Sequence, residues 1–233
     1  MVDKYESIQE LLAVLKDCAE RAGIYEHMFV SFGSLLGAIR PTARKYVEQN
    51  RIIYCRGMIE FDGDGDMGIL SDRCDPARIE QYFAYCQDAG VMAVWPRPEQ
   101  RIRRRPDNGE ILWFSAKKRS GGVKICNWFF HEWKGYMLHG KGKGWTGDKK
   151  FSIQKWPRQK DVEGIALGAP AKYFKELVPM EFEGVKLNVP KLSGSLLDYW
   201  YPLWARPKKG GASRKKIVVI IKKFNNPKTW QVI

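Results

Sequence analysis

The sequence predicts an α/β (α+β) chain, a mixed sheet flanked by helices, folded as a single domain over residues 1–233. Three observations predict it. Apolar residues recur at helical spacing in some segments, shorter β-rich runs lie between them, and no repeat or linker-like composition divides the chain. An apolar content of 44% and an aromatic content of 13% suit a chain with a sizeable core.

The elements follow in order. In residues 5–22, Ile8, Leu11, Leu12, Leu15 and Cys18 fall on one helical face, and Gly23 stops the helix. HMFVSF (27–32) reads as a short strand, Gly33-Ser34 as a turn, and SLLGAIR as a second helix started by a hydroxyl N-cap and ended by Pro41. Residues 42–56 are polar and basic and read as a loop with a helical piece. MIEF and the aspartates after it form a strand or strand end. Asp75-Pro76 opens a third helix with Ile79, Tyr82, Phe83 and Cys86 on one face and Gly90 at its end. VMAVW (91–95) reads as a strand.

After Pro96 the texture changes. RIRRRPDNGE is a basic turn, and ILWFSAKK and VKICNWFFHEW read as a hairpin across RSGG. HGKGKGWTGDKK reads as a Gly/Lys loop, AKYFKEL as a short helix after Pro170, and EFEGVKLNVP as a strand. SGSLLDYWYPLW is a short helix, and PKKGGASRKK a basic loop before the strand IVVII.

Charge divides the chain into two halves. Residues 1–100 hold 11 Lys and Arg against 16 Asp and Glu, and residues 101–233 hold 29 against 10. An acidic first half is thus followed by a strongly basic one, a field that attracts phosphates, nucleic acid or an acidic polymer. The five cysteines, 18, 55, 74, 86 and 126, contain no C-x-x-C pair, so zinc spacing is absent and free thiols in a reducing compartment are expected. The N-terminal stretch lacks a signal-peptide h-region and no apolar run approaches a membrane span, so a soluble, cytoplasmic protein is expected.

In MIEFDGDGDMGIL, Asp62, Asp64 and Asp66 alternate, and an extended chain points all three to one face. Like charges at that spacing repel. A hard divalent cation, Mg²⁺ or Mn²⁺, removes the cost; a solvated Gly/Asp turn is the alternative. An EF-hand loop fails, because its glycine and glutamate positions hold Met67 and Arg73. FGSLLGAIR (32–40) supplies a strand-to-helix turn whose free N–H groups suit a phosphate, although an ordinary capped helix has the same pattern. GYMLHGKG (135–142) approaches a P-loop but has Gly142 where Ser or Thr is needed.

The two motifs together resemble the LicD/fukutin family of nucleotidyltransferase-fold phosphotransferases, whose members carry G-T-L-L-G-A-x-R and then W-D-x-D-x-D. Phe61 stands where the family usually has Trp. VKICNWFFHEW and VPMEFEGVKLNVPKLSGSLLDYWYPLWARP resemble later family segments, so the likeness runs over about residues 5–207, with the closing Tyr-Gly replaced by Tyr201-Pro202. The resemblance implies a nucleotidyltransferase-like mixed sheet with a C-terminal family extension. It also implies metal-dependent transfer of a phospho-alcohol, such as phosphocholine or ribitol phosphate, from a CDP-activated donor to a glycan hydroxyl. Asp62, Asp64 and Asp66 are the implied catalytic and metal-binding set, with Mg²⁺ or Mn²⁺. Gly33, Ser34, Arg40 and Lys141 are the candidates for the donor phosphates.

One family feature is missing. Many bacterial members carry an Asp on the strand matching 123–129, where this chain offers Lys124, Cys126 and Asn127. Asp62 then supplies the third ligand, or His131 or Glu132 does, or the metal site is weakened. Arg40 either orients phosphates or pairs with an aspartate, and His131 is a base, a ligand or a packing group. Lys141 and Lys143 either contact the donor phosphate or the acceptor or belong to a solvated loop, and Arg101, Arg103, Arg104 and Arg105 either grip a polyanion or are solvated. Trp113, Trp128, Trp133 and Trp145 offer sugar-stacking faces or core packing. Two other functions stay open: a nucleotidyltransferase acting on RNA or a small molecule, and a non-catalytic binding protein that retains the fold.

Overall fold

Four helices and thirteen strands are described in a computed structural model covering residues 4–41, 44–48, 51–59, 64–91, 102–104, 108–117, 124–142, 164–202, 204–205, 217–223 and 225–232. The helices are α1 (Lys4–Arg21), α2 (Phe32–Ile39), α3 (Pro76–Asp88) and α4 (Ser193–Trp200). The first strands are β1 (Met28–Val30), β2 (Arg44–Glu48), β3 (Arg51–Cys55), β4 (Asp64–Leu70), β5 (Ile102–Arg104), β6 (Ile111–Lys117) and β7 (Lys124–Trp133). They are followed by β8 (Tyr136–Gly142), β9 (Gly164–Pro170), β10 (Leu177–Phe182), β11 (Val185–Pro190), β12 (Ile217–Ile221) and β13 (Gln231–Val232).

The main sheet has nine strands in the order β1-β4-β7-β8-β9-β12-β13, with β5 and β6 branching from β7. β4 lies parallel along one edge of β7, while β6 takes the first half of the other edge and β8 the second half. The β4–β7 pair is parallel, and the other pairs of this sheet are antiparallel. The mixed sheet expected from the sequence is present, and helices flank it.

Alternation along β7 separates the two faces. Asn127 and Phe129 meet α3: Tyr82 donates its hydroxyl to Asn127 Oδ1 at 2.9 Å, and Phe114 of β6 packs against Tyr82, Phe83 and Phe129. On the opposite face, Trp128 and Phe130 meet Phe32 at the start of α2, which also stacks on Trp200 of α4. The α1 row Ile8, Leu11, Leu12, Leu15 and Cys18 is buried throughout. Each large aliphatic member of such a row contributes about 1.5–3 kcal/mol. A smaller apolar cluster of Leu112, Trp133, Leu138, Ala166, Val219 and Ile221 lies toward the far edge, with Trp230 packed against Trp133.

Several expectations need correction. The segment read as a loop with a helical piece holds the β2–β3 hairpin. Its β-branched and aromatic residues, Tyr46, Val47, Ile52, Ile53 and Tyr54, carry the strand preference that the neighbouring basic residues hid. EFEGVKLNVP is no single strand: Glu183 and Gly184, both at positive φ (51° and 73°), turn β10 back onto β11. Lys134 and Gly135 (47° and 78°) do the same between β7 and β8, the paired positive φ of a type I′ hairpin turn. The stretch 139–142, read as loop, belongs to β8 and pairs with β9. The helix after Pro170 shrinks to a single 3-10 turn, Ala171–Phe174, because β10 begins at Leu177. Residues 92–95, Arg101, Arg105, Asp62, Lys143, Trp145 and the basic loop 207–216 lie outside the described residues.

Candidate active site

The site forms where the start of β4 meets the start of α2. Ser31, extended at φ −125°, occupies the N-cap position of α2 without a side-chain capping bond, and Phe32 follows with a left-handed φ of 44°. A non-glycine residue there costs on the order of 1–3 kcal/mol and persists only when its surroundings hold it. They do so here: the Phe32 ring is enclosed by Trp128, Phe130, His139 and Trp200, with centroids 4.7–5.9 Å away. Phe32 is therefore the first helical residue and not a strand end. Gly33 and Ser34 lie inside the first helical turn, and the cap is Ser31 rather than Ser34.

Two hydrogen bonds tie that turn to β4. The Ser31 N–H donates to the Asp66 carbonyl at 3.0 Å, and the Asp66 N–H donates to Ser34 Oγ at 2.8 Å. Ser34 is 2% exposed, and its hydroxyl also points at Met58 Sδ, 3.9 Å away. The Ser34 side chain is thus committed to holding β4, which leaves backbone N–H groups as the donors this turn can offer to a phosphate.

Asp64 and Asp66 begin β4 and share one face of it. The parallel register sets Asp64 opposite Lys124 and Asp66 opposite Cys126, so Lys124, Cys126 and Trp128 form a row beside the carboxylates. Lys124 Nζ lies 3.0 Å from Asp64 Oδ2. Cys126 Sγ donates to the same oxygen at 3.5 Å, and Trp128 Nε1 donates to Asp66 Oδ1 at 2.9 Å. Asp66 is 9% exposed, whereas the Asp64 side chain is 32% exposed.

Charge and burial set the protonation states. Burial, then Asp66 and Asp64, push the Cys126 thiol far above its ordinary range, so it stays protonated. Burial is the largest single influence on the Lys124 ammonium and pulls its pKa down, but the hydrogen bond to Asp64 and the neighbouring negative charges together outweigh it, and the net shift is upward. Two carboxylates on one face make a hard-oxygen donor set, which fits Mg²⁺ or Mn²⁺. Among the described residues, no group of three or more His, Cys, Asp and Glu side chains gathers as a metal cluster. The carboxylate count stops at two there, with Asp62 outside the described residues.

The other candidates separate. Arg40 ends α2, six residues beyond Ser34 or about 9 Å along the helix axis. Its Nε is buried with no hydrogen-bond partner among the described residues, and burial lowers its pKa. Lys141 sits in β8 opposite Ile165, and its side chain is outside the described residues. His131 and Glu132 do not reach the carboxylates. They lie beyond Phe130, which pairs with Leu70 at the far end of β4, about 20 Å from Asp64. There His131 Nδ1 lies 3.4 Å from Asp72 Oδ1, and Asp72 also accepts the Glu132 N–H. Ser71 Oγ donates to the Phe130 carbonyl at 2.7 Å. This cluster fastens the ends of β4 and β7. Of the tryptophans, Trp128 serves Asp66, Trp113 stacks on Trp128, and Trp133 belongs to the smaller apolar cluster.

Sequence reasoning missed Lys124 and Trp128 as partners of the aspartates. Their alternation in K-x-C-x-W was visible, but the register that puts them beside Asp64 and Asp66 was not. Among the described residues no helix is long and apolar enough to cross a membrane. No protein-family model matches this chain, and no curated protein matches it.

Proposed function

We propose that this chain is a metal-dependent phosphotransferase that moves a phospho-alcohol group from a CDP-activated donor to a glycan hydroxyl, forming a phosphodiester. The observation that carries the reading is the junction itself. Asp64 and Asp66 share a face, and Ser34 Oγ and the Ser31 N–H lock that face to the first turn of α2. A phosphate acceptor surface and a carboxylate pair are thereby adjacent in one rigid unit.

Asp64 and Asp66 would hold a divalent cation, which would supply charge neutralisation for the donor pyrophosphate and activation of the acceptor hydroxyl. The chain's own groups do the rest. Trp128 Nε1 fixes the Asp66 carboxylate, so its orientation is set before any ligand arrives. In this reading the N–H groups at the start of α2, Gly33 included, bind the anionic donor, and residue 33 puts no side chain in its way. The more exposed Asp64 is the carboxylate placed to accept the acceptor's proton.

A non-catalytic binding protein is the second reading. The Lys124–Asp64 ion pair favours it, because an ammonium already balances one carboxylate. One experiment separates the two. CDP-choline, CDP-ribitol and CDP-glycerol are screened with Mn²⁺ by thermal shift, and any stabilising donor is then followed for turnover in wild type and Asp64→Asn. The transferase reading expects a stabilising donor, turnover in wild type, and none in a folded Asp64→Asn. Binding without turnover supports the second reading, and near-wild-type turnover by Asp64→Asn rejects the metal site.

A further inference from the structure

We propose that Lys124 is the resident cation of the carboxylate pair: it holds Asp64 while the site is empty of metal and is displaced from it when a divalent ion binds, so that Lys124 sets the metal affinity. This rests on the metal reading above and adds to it a residue that opposes the metal.

The geometry points to this role because β4 and β7 run parallel and in register. Asp64 and Lys124 are direct cross-strand partners, and the ammonium lies 3.0 Å from Oδ2. The contact is built into the sheet and is not a chance meeting of two surface chains. The three β7 side chains that lie beside the carboxylates on this face are all donors, and each is within reach of a carboxylate oxygen: Lys124 and Cys126 at Asp64, Trp128 at Asp66. Only one of the three carries a charge, and only that one occupies space that it can leave. Trp128 is ringed by Phe32, Trp113 and His139, and Cys126 is 3% exposed. The Lys124 side chain is 45% exposed and can swing into solvent on its flexible stem.

Two like charges alternating on one strand repel, and a positive partner relieves the repulsion while no metal is bound. A divalent ion at the same carboxylates meets the same positive charge at a few ångströms and must expel it. Removing the ammonium while keeping the aliphatic stem therefore strengthens metal binding, the opposite of what loss of a ligand does.

The test is Mn²⁺ binding by isothermal titration calorimetry, without nucleotide, on the full chain and on Lys124→Met and Lys124→Arg, with circular dichroism to verify folding. Lys124→Met is expected to bind Mn²⁺ about tenfold or more tightly than wild type, since one unit charge a few ångströms from the ion is removed. Lys124→Arg is expected to stay near wild type. Equal or weaker binding by a folded Lys124→Met overturns the proposal while leaving the metal reading in place. Failure of wild type and Lys124→Met alike to bind Mn²⁺ overturns the metal reading and this proposal with it. An Asp64→Asn background supplies the remaining control: a tightening that persisted there would show that Lys124 does not act through Asp64, and would also overturn the proposal.

Discussion

Trp128 donates its indole N–H to Asp66 Oδ1 at 2.9 Å across the parallel β4–β7 pair, joining the most buried carboxylate of the site to the aromatic box around Phe32. Trp128→Phe keeps an aromatic ring at this position, though a smaller one, and removes the donor. It is expected to destabilise the fold by about 1–3 kcal/mol, because a buried charged acceptor loses a hydrogen bond. Urea denaturation measures this. In an Asp66→Asn background the same change is expected to cost less, since a neutral amide suffers less from the loss, and additive costs would sink the idea.

Ser34→Ala discriminates between two roles for the same hydroxyl. A hydroxyl that accepts the Asp66 N–H inside the protein makes the variant less stable, by about 1–3 kcal/mol, whether or not a donor is present. A hydroxyl that served a bound phosphate would leave the melting temperature of the free protein unchanged. Melting curves of the free protein are expected to show the loss.

Gly37 has no room for a side chain. A Cβ there would lie 2.2 Å from the Gly57 carbonyl oxygen, and the Gly57 N–H donates to the Gly37 carbonyl at 3.1 Å. The obstacle is backbone, so α2 must shift for Gly37→Ala to fit. Overpacking typically costs 1–3 kcal/mol, and the expected loss is about that or larger. Since α2 carries Ser31 and Ser34, the shift also loosens Asp66, and amide hydrogen exchange at Asp66 is expected to accelerate. An unchanged exchange rate would contradict that coupling.

Cys74 gives the pH prediction. Burial, with a smaller contribution from Glu26, pushes its thiol up to about 12 from an ordinary 9.0. The folded state therefore keeps a proton that the unfolded chain releases above about pH 9. Stability from this group is fully present below that pH and is lost as pH rises toward 12. Denaturation between pH 8 and pH 11 is expected to show a falling stability whose slope is shallower in Cys74→Ala. In native protein at pH 8, Cys74 is expected to react slowly with iodoacetamide.

Local signals made much of the fold legible. The α1 row, the Asp75 cap with Pro76, and the β6–β7 hairpin all come from spacing or cap chemistry within a few residues, and the structure places each of them where that chemistry points. The hairpin turns Lys134-Gly135 and Glu183-Gly184 were missed because neither is the Asn-Gly or Asp-Gly pair that advertises such a turn. Asp64, Asp66, Gly33 and Ser34 could be picked out as motif residues, and the structure brings them together. Which atom of Ser34 does what could not be read, because it depends on burial. The partners of the aspartates depend on register across a long connection, and a slip of one residue would have turned Lys124, Cys126 and Trp128 to the other face.

That same connection bears on how the site comes into being. Asp64 and Lys124 meet from positions 60 residues apart, with α3, β5 and β6 between them. A parallel pair of this kind closes late, because the chain entropy of so long an excursion must be overcome before its contacts form. The acidic first half holds both aspartates and the α2 turn, yet a polypeptide ending near residue 100 would lack the edge of β7 against which β4 takes its place. During synthesis the carboxylate pair accordingly acquires its donors only after β7 has emerged, and its charge is balanced in the same event that pairs β4 with β7.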